Sequence, residues 1–176
     1  NIFMEKILNS IKQSLDDENY YSALVLSLII PDICGKFENS NQRLSKRYSE
    51  WFNKYLGKKY SNFLSGNGCY ALRCSFLHEG TGDTETQDKK EILDHVAFIP
   101  RGSHCNRLSN CHFGDKRYDG KEILQLSTFH FCQDIIDATK EWLNDVKDNP
   151  VIQRNISEIL DIHKEGFSVG GEIIMK

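Results

Sequence analysis

The stretch Asn67–Glu79, NGCYALRCSFLHE, is a short apolar segment that carries one arginine and one histidine and is closed by Gly80-Thr81-Gly82. With 3.6 residues per turn, its apolar side chains form two stripes on opposite sides of a helix. The first stripe consists of Tyr70, Cys74 and Leu77, and the second consists of Leu72 and Phe76. The pattern therefore predicts a helix that is buried on both faces.

Arg73 and His78 are the residues of this helix that suit chemistry. Five positions separate them, so on an α-helix they lie about 140° apart and are expected to flank the first stripe. A cation and an imidazole at the margins of a buried helix are costly to desolvate unless they meet partners or a ligand. Two interpretations stay open at this point. Either the pair is functional, or it is structural, with Arg73 bound to a carboxylate and His78 a core histidine with satisfied hydrogen bonds.

The size and composition of the chain are typical of one globular domain. Its 176 residues are 39% hydrophobic and 27% charged, which predicts a single domain over residues 1–176 with one core. No run approaches the roughly 18 apolar residues of a membrane span, and no basic segment precedes an apolar leader. We therefore expect a cytoplasmic protein with no membrane partner. The six cysteines are spread along the chain and are expected to be mostly free thiols.

Helical periodicity extends through most of the remaining sequence. It predicts a first helix over Met4–Leu15, a clear helix after Asn39-Ser40-Asn41 that ends at Gly57, one through Phe131–Val146, and one that begins at Asn149-Pro150 and includes His163. Tyr20–Phe37 is too uniformly apolar for a surface helix, which predicts a central buried helix, kinked or broken near Pro31. Asp32 either caps a helix or is a buried partner of Arg73, and capping is the preferred interpretation.

Two segments have the length and composition of strands. These are His95–Pro100 and Glu122–Ser127, and a long turn-rich loop separates them. The simplest prediction is a small antiparallel β-hairpin inserted at about residues 95–127. The end of the chain, about 166–176, is interrupted by glycine and is expected to be a peripheral tail. The predicted fold class is mainly α, a helical bundle with a small inserted antiparallel hairpin.

Charge is distributed unevenly along the chain. Residues 41–60 contain six basic residues against Glu50, a local net charge of +5, although the whole chain carries −3. The basic residues are Arg43, Lys46, Arg47, Lys54, Lys58 and Lys59. The aromatic residues of the same helix are expected in the core and its basic residues at the surface. A basic stripe of this kind can bind a phosphate backbone, so these six residues are the predicted nucleic-acid-binding set.

The loop between the predicted strands contains four residues whose types suit zinc. They are His104, Cys105, Cys111 and His112. The usual spacing of two to four residues between paired ligands is missing, so no metal site is predicted there. His104 and Arg107 would lower the pKa of the Cys105 thiol. However, nothing in the sequence identifies the base, orienting group or oxyanion donors of a cysteine hydrolase.

The segment Arg73-Cys74-Ser75-Phe76-Leu77-His78 matches the R-x4-6-H pattern of the HEPN superfamily, with four intervening residues. Over roughly Met4–Gly80 and Thr128–Lys147, the chain resembles small bacterial HEPN-like proteins. The resemblance implies a compact bundle of four or five helices with the motif on a late helix. Many members are metal-independent endoribonucleases of toxin–antitoxin, antiviral-defence or RNA-targeting CRISPR systems, and they act as dimers or paired domains.

For this chain, the resemblance implies that Arg73 and His78 are catalytic, that RNA is the substrate and that no cofactor is needed. It also implies a homodimer and, as a further partner, an antitoxin or another operon product. In catalytic members the residue after the arginine is commonly polar, whereas here it is Cys74. The alternative is therefore a non-catalytic HEPN-like module for dimerisation, protein interaction or nucleotide binding.

Overall fold

The computed structural model describes residues 2–82, 94–109, 116, 118–163, 166–170 and 172–174. The α-helices are α1 (Ile2–Asp16), α2 (Tyr20–Glu38), α3 (Leu44–Tyr55), α4 (Gly66–Cys74), α5 (Thr128–Asp145) and α6 (Pro150–Ser157). Helix α4 continues into a π-helical turn over Ser75–Glu79. The strands are β1 (His95–Ile99), β2 (Asn106–Leu108), β3 (Ile123–Ser127), β4 (Phe167–Val169) and β5 (Glu172–Ile174). The mainly helical class with a small sheet is confirmed.

Helix α2 lies at the centre of the bundle and contacts α1, α3, α5 and α6. Among the described residues, it is the helix long and apolar enough to cross a membrane, by length and composition, and 44% of that stretch is buried. Its contacts on several sides are those of a core helix. Of the two predicted alternatives at Pro31, a break is wrong, because α2 runs continuously from Tyr20 to Glu38, and a kink stays a prediction. Burial of Leu28, Ile30 and Pro31 itself against the other helices offsets the hydrogen bond that proline cannot make.

Helix α3 packs its aromatic face inward, as its periodicity predicts. Tyr48, Trp51 and Phe52 are almost fully buried, and the Tyr48 hydroxyl donates a hydrogen bond to the Leu28 carbonyl of α2. The boundaries differ slightly from the prediction. The helix begins after Arg43, whose side chain makes no capping bond, and it ends before Gly57.

The predicted antiparallel hairpin is wrong. Strands β1 and β3 pair in parallel, and β2 pairs antiparallel with the other edge of β3, giving the order β1-β3-β2. Strand β3 is buried on both faces except at Gln125, which is typical of the central strand of a covered sheet. Because β3 leads directly into α5, the sheet joins the same core as the helices.

The C-terminal region is only partly as predicted. Asn149 caps α6 by accepting hydrogen bonds from the Val151 and Ile152 amides, which confirms the predicted start. The helix ends at Ser157, however, and not near His163. Beyond it, β4 and β5 form a two-stranded antiparallel ribbon within the segment predicted as a peripheral tail.

Candidate functional site

The π-helical turn over Ser75–Glu79 places Arg73 and His78 on one side of the helix. In an α-helix, Arg73 and His78 would lie about 140° apart. A π turn holds more residues per turn, so the angle between Arg73, just before the turn, and His78, within it, is smaller than in an α-helix. The turn ends at Gly80, whose φ of 68° is a left-handed conformation that glycine adopts without strain.

The Arg73 Nη1 atom lies 3.1 Å from His78 Nε2. A guanidinium group only donates, so Nε2 accepts this hydrogen bond and the ring proton of the neutral imidazole is on Nδ1. The expectation that the two side chains flank an apolar stripe on separate edges is therefore wrong. The structure brings them into direct contact, with His78 exposed and Arg73 half-buried.

Asp32 of α2 completes the group. Its Oδ2 atom accepts hydrogen bonds from Arg73 Nε at 2.9 Å and lies 2.9 Å from Arg73 Nη2. The preferred capping role of Asp32 is therefore wrong, and the alternative of a buried partner for Arg73 is correct. The Asp32 and Arg73 side chains are only 14% and 16% exposed, so this is a largely desolvated ion pair.

The Asp32 carboxylate is held at an electrostatic cost. Burial raises the pKa of Asp32 above its ordinary value, and the positive charges of Arg73 and Arg47 offset part of that rise. Its second oxygen, Oδ1, is buried and has no hydrogen-bond partner among the described residues. Buried acids with incomplete hydrogen bonding are unfavourable for stability and are frequent at functional sites.

The predicted burial of the helix on both faces is wrong. Leu72 is buried, but Tyr70, Cys74 and Leu77 are half-buried. Phe76 is half-buried as well and stacks on the exposed ring of Tyr21, with ring centroids 6.4 Å apart. One side of α4 and of the π turn therefore faces the core, and the side with the first stripe borders solvent.

The six predicted nucleic-acid-binding residues do not form one free basic surface. Lys46 lies 3.7 Å from Glu50, Lys54 lies 3.7 Å from Glu38, and Lys59 forms an ion pair with Asp134. Arg47 is half-buried and donates to the Gln42 carbonyl. Within the described part of the chain, Arg43 and Lys58 are exposed and make no ion pair.

A second polar group joins the sheet to the helices. The Ser127 amide donates to His104 Nδ1 at 3.1 Å, so the proton of the neutral ring is on Nε2, which lies 3.0 Å from the Tyr60 hydroxyl. That hydroxyl in turn donates to Asp134 Oδ2 at 2.8 Å. Burial lowers the pKa of His104, and the charges of His130 and Lys59 add to this while Asp134 opposes it.

The residues considered for zinc or thiol chemistry are used differently. His104 belongs to the group just described, and Cys111 and His112 lie outside the described residues. In the described ranges, no three His, Cys, Asp or Glu side chains are grouped so that they could hold a metal ion. Burial raises the pKa of the Cys105 thiol to about 11, so the expected lowering by His104 and Arg107 is wrong.

The second polar group was missed because its members are far apart in sequence. One signal was present in the α5 pattern. Asp134 lies three positions after Phe131 and one before Ile135, on the apolar face of the helix. An acid on a buried face requires a hydrogen-bonding partner, but the sequence does not identify Tyr60 or His104 as that partner.

Comparisons with protein-family models, with curated proteins and with solved structures give no match for this chain. The fold and the site together define a mainly helical bundle with a small mixed sheet and an Asp-Arg-His group at its surface.

Proposed function

We propose that the protein is a metal-independent endoribonuclease of the HEPN type, with Arg73 and His78 as catalytic residues. The observation that supports this most directly is the 3.1 Å contact between the Arg73 guanidinium and the exposed His78 ring. It brings a fixed cation and a titratable base together at the surface. Asp32 orients the cation through two of its nitrogen atoms.

RNA cleavage without a metal needs little more than such a pair. The 2'-hydroxyl must lose its proton and attack the neighbouring phosphate, and negative charge then develops on the phosphate oxygens. When the Arg73 guanidinium shifts its Nη1 hydrogen bond from His78 Nε2 to the phosphate, it can stabilise the developing charge, and the freed Nε2 lone pair can accept the proton. Asp32 and His78 use three of the five N–H groups of Arg73, which leaves no more than two for a phosphate.

We further propose that the active form is a homodimer. One histidine does not easily serve both the attacking and the leaving oxygen, whereas a twofold contact supplies a second Arg73/His78 pair without any new sequence. The half-buried stripe of Tyr70, Cys74 and Leu77 borders this pair and is the proposed interface. A cytoplasmic location and an antitoxin or other operon partner belong to the same proposal.

The direct test is cleavage of single-stranded RNA in excess chelator. Wild type is expected to cleave, and His78→Ala and Arg73→Ala are each expected to lower the rate by at least about 100-fold. Far-ultraviolet circular dichroism and thermal unfolding of the same samples check that both variants fold. Cleavage that persists in His78→Ala would rule out the proposed role of this residue.

Size-exclusion chromatography with light scattering tests the dimer separately. A strictly monomeric protein that is fully active would contradict the twofold site. Mixing the two inactive variants adds detail. Recovery of activity is expected if the arginine of one protomer serves the histidine of the other, and little recovery is expected if each half-site needs both residues.

A second candidate is a non-catalytic module that binds a protein or a nucleotide. The specific observation in its favour is that Asp32 already takes the side of the guanidinium that most often binds a phosphate in two hydrogen bonds. A folded wild-type protein that binds RNA or a nucleotide without cutting RNA would favour this candidate.

A further inference from the structure

A polar groove lies between α3 and the beginning of α4, away from the Asp-Arg-His group. Its volume is about 440 Å³, and it is lined by Arg43, Ser45, Lys46, Ser49, Glu50, Asn53 and Asn67. Two of these residues carry side-chain amides, two carry positive charge and Glu50 carries negative charge, so the lining has a net charge of +1. All seven side chains end in a polar or charged group, which can bind a polar ligand.

The walls of the groove are held in place by close packing. Gly66 lies so near to α3 that a Cβ atom at this position would be 2.3 Å from the Ser49 carbonyl oxygen. Asn53 Oδ1 accepts a hydrogen bond from the Gly66 amide at 2.7 Å, and the Ser49 hydroxyl lies 2.8 Å from Asn67 Oδ1. The two helices therefore fix the positions of both amide side chains.

The charges and donors of the groove suit a nucleotide. Lys46 pairs with Glu50 at 3.7 Å, so Arg43 supplies the remaining unit of positive charge, which matches one phosphodiester. The Asn53 amide nitrogen has no partner within the described ranges, and it can donate to a base edge. Side-chain amides make such hydrogen bonds to bases, whereas arginine binds phosphate oxygens.

We propose that this groove binds one nucleotide of a single-stranded RNA whose chain continues to the Arg73/His78 pair. Asn67 and Arg73 both lie on α4 and are six residues apart, about 9 Å along the axis and about 120° around it, so the RNA must curve around α4 to reach both. Arg43 holds the phosphate of that nucleotide and Asn53 contacts its base. This inference rests on the proposed function, because it takes RNA as the substrate of that pair.

Binding of a short fluorescent single-stranded RNA to the His78→Ala protein, in which the RNA is not cut, tests the groove. Arg43→Glu removes the phosphate contact. Asn53→Asp keeps an acceptor for the Gly66 amide but replaces the amide donor with a negative oxygen. Each variant is expected to weaken binding about tenfold, and Arg43→Glu is also expected to lower the slope of log affinity against log salt by about one.

Lys12→Glu is the matched control, because Lys12 of α1 is exposed, makes no ion pair with a described residue, does not line the groove and is outside the predicted nucleic-acid-binding set. Its affinity is expected to change less than about twofold, since a surface charge outside the contact adds only a weak, screened term. Equal loss in Lys12→Glu, or unchanged binding in both groove variants, would overturn the inference.

The outcomes separate this inference from the proposed function. If wild type cleaves RNA and the groove variants bind normally, the groove inference alone fails. If the groove variants lose binding but wild type never cleaves, the nuclease proposal alone fails. If a nucleoside monophosphate binds in the groove as tightly as the RNA, the groove serves a free nucleotide and the inference fails.

Discussion

Two groups that each contain an aspartate and a histidine have opposite character in this molecule. The group of Asp32, Arg73 and His78 borders solvent, leaves Asp32 Oδ1 without a partner among described residues and ends in an exposed histidine. In the group of Tyr60, His104 and Asp134, a series of hydrogen bonds runs from the Ser127 amide through His104 and Tyr60 to Asp134. Each polar atom in this series has a partner. Both combine an acid with a histidine, but only the first has capacity left for a ligand.

The difference shows that composition alone does not define a site. His104 is held by donors and acceptors on both ring nitrogens, so a substrate would have to break an existing bond to reach it. The hydrogen bond that His78 makes occupies its Nε2 lone pair, but the donor is Arg73, which can transfer that bond to an anion and so free the ring nitrogen. We therefore interpret the group around His104 as a structural connection between the sheet and α3 and α5, and the group around His78 as the reactive one.

The largest expected effect contrasts the two histidines. His78→Ala is expected to lower RNA cleavage by at least about 100-fold, whereas His104→Ala is expected to leave the rate of the folded protein within about twofold. Single-turnover cleavage rates, corrected for the folded fraction, give the comparison. A loss in His104→Ala as large as that in His78→Ala would remove the distinction between the two groups.

The next effect concerns stability. Tyr60→Phe removes the hydroxyl that links His104 to Asp134 and is expected to lower the free energy of unfolding by about 2 kcal/mol, because two buried polar groups lose a partner. Tyr55→Phe is the control, since the Tyr55 hydroxyl makes only an exposed bond to Asp145 and is expected to matter by less than about 0.5 kcal/mol. Urea unfolding measures both, and equal values for the two variants would contradict the structural role of the Tyr60 group.

The smallest effect is a pH dependence of stability. The pKa of His104 is lowered in the folded state, so below the unfolded value near 6.5 the unfolded chain binds a proton that the folded chain does not. Stability is therefore expected to fall as pH decreases from about 6.5 toward the folded pKa, by at most about 1.4 kcal/mol per pH unit. The difference between wild type and His104→Gln isolates this residue, and parallel curves for the two proteins would contradict it.

Local signals in the sequence predicted much of the fold. The apolar periodicity of α1, α3 and α5 and the Asn149-Pro150 start of α6 gave correct helices, because helix formation depends on neighbours three and four residues away. The parallel pairing of β1 with β3 was not predictable in this way. Strand direction depends on where the intervening chain returns, and the segment between the two strands is long and turn-rich.

The candidate site was predicted in its members but not in its geometry. The motif identified Arg73 and His78, but α-helical geometry predicted that their side chains lie apart. The sequence also favoured a capping role for Asp32 over a contact with Arg73. The contact between Asp32 and Arg73 joins residues 41 positions apart in sequence. The π turn is also a tertiary outcome, since nothing in the five letters SFLHE distinguishes it from an ordinary helical turn.

The π turn has a consequence for insertions and deletions. A regular α-helix would bring an arginine and a histidine together at a separation of four residues, and here five residues achieve the same contact because the turn absorbs one extra. If one residue of Ser75–Leu77 is deleted, Arg73 and the histidine become four residues apart. A straight α-helix then still brings the histidine to the arginine. The length of this motif can vary by a residue without separating its two ends, provided that the helix exchanges one kind of turn for the other.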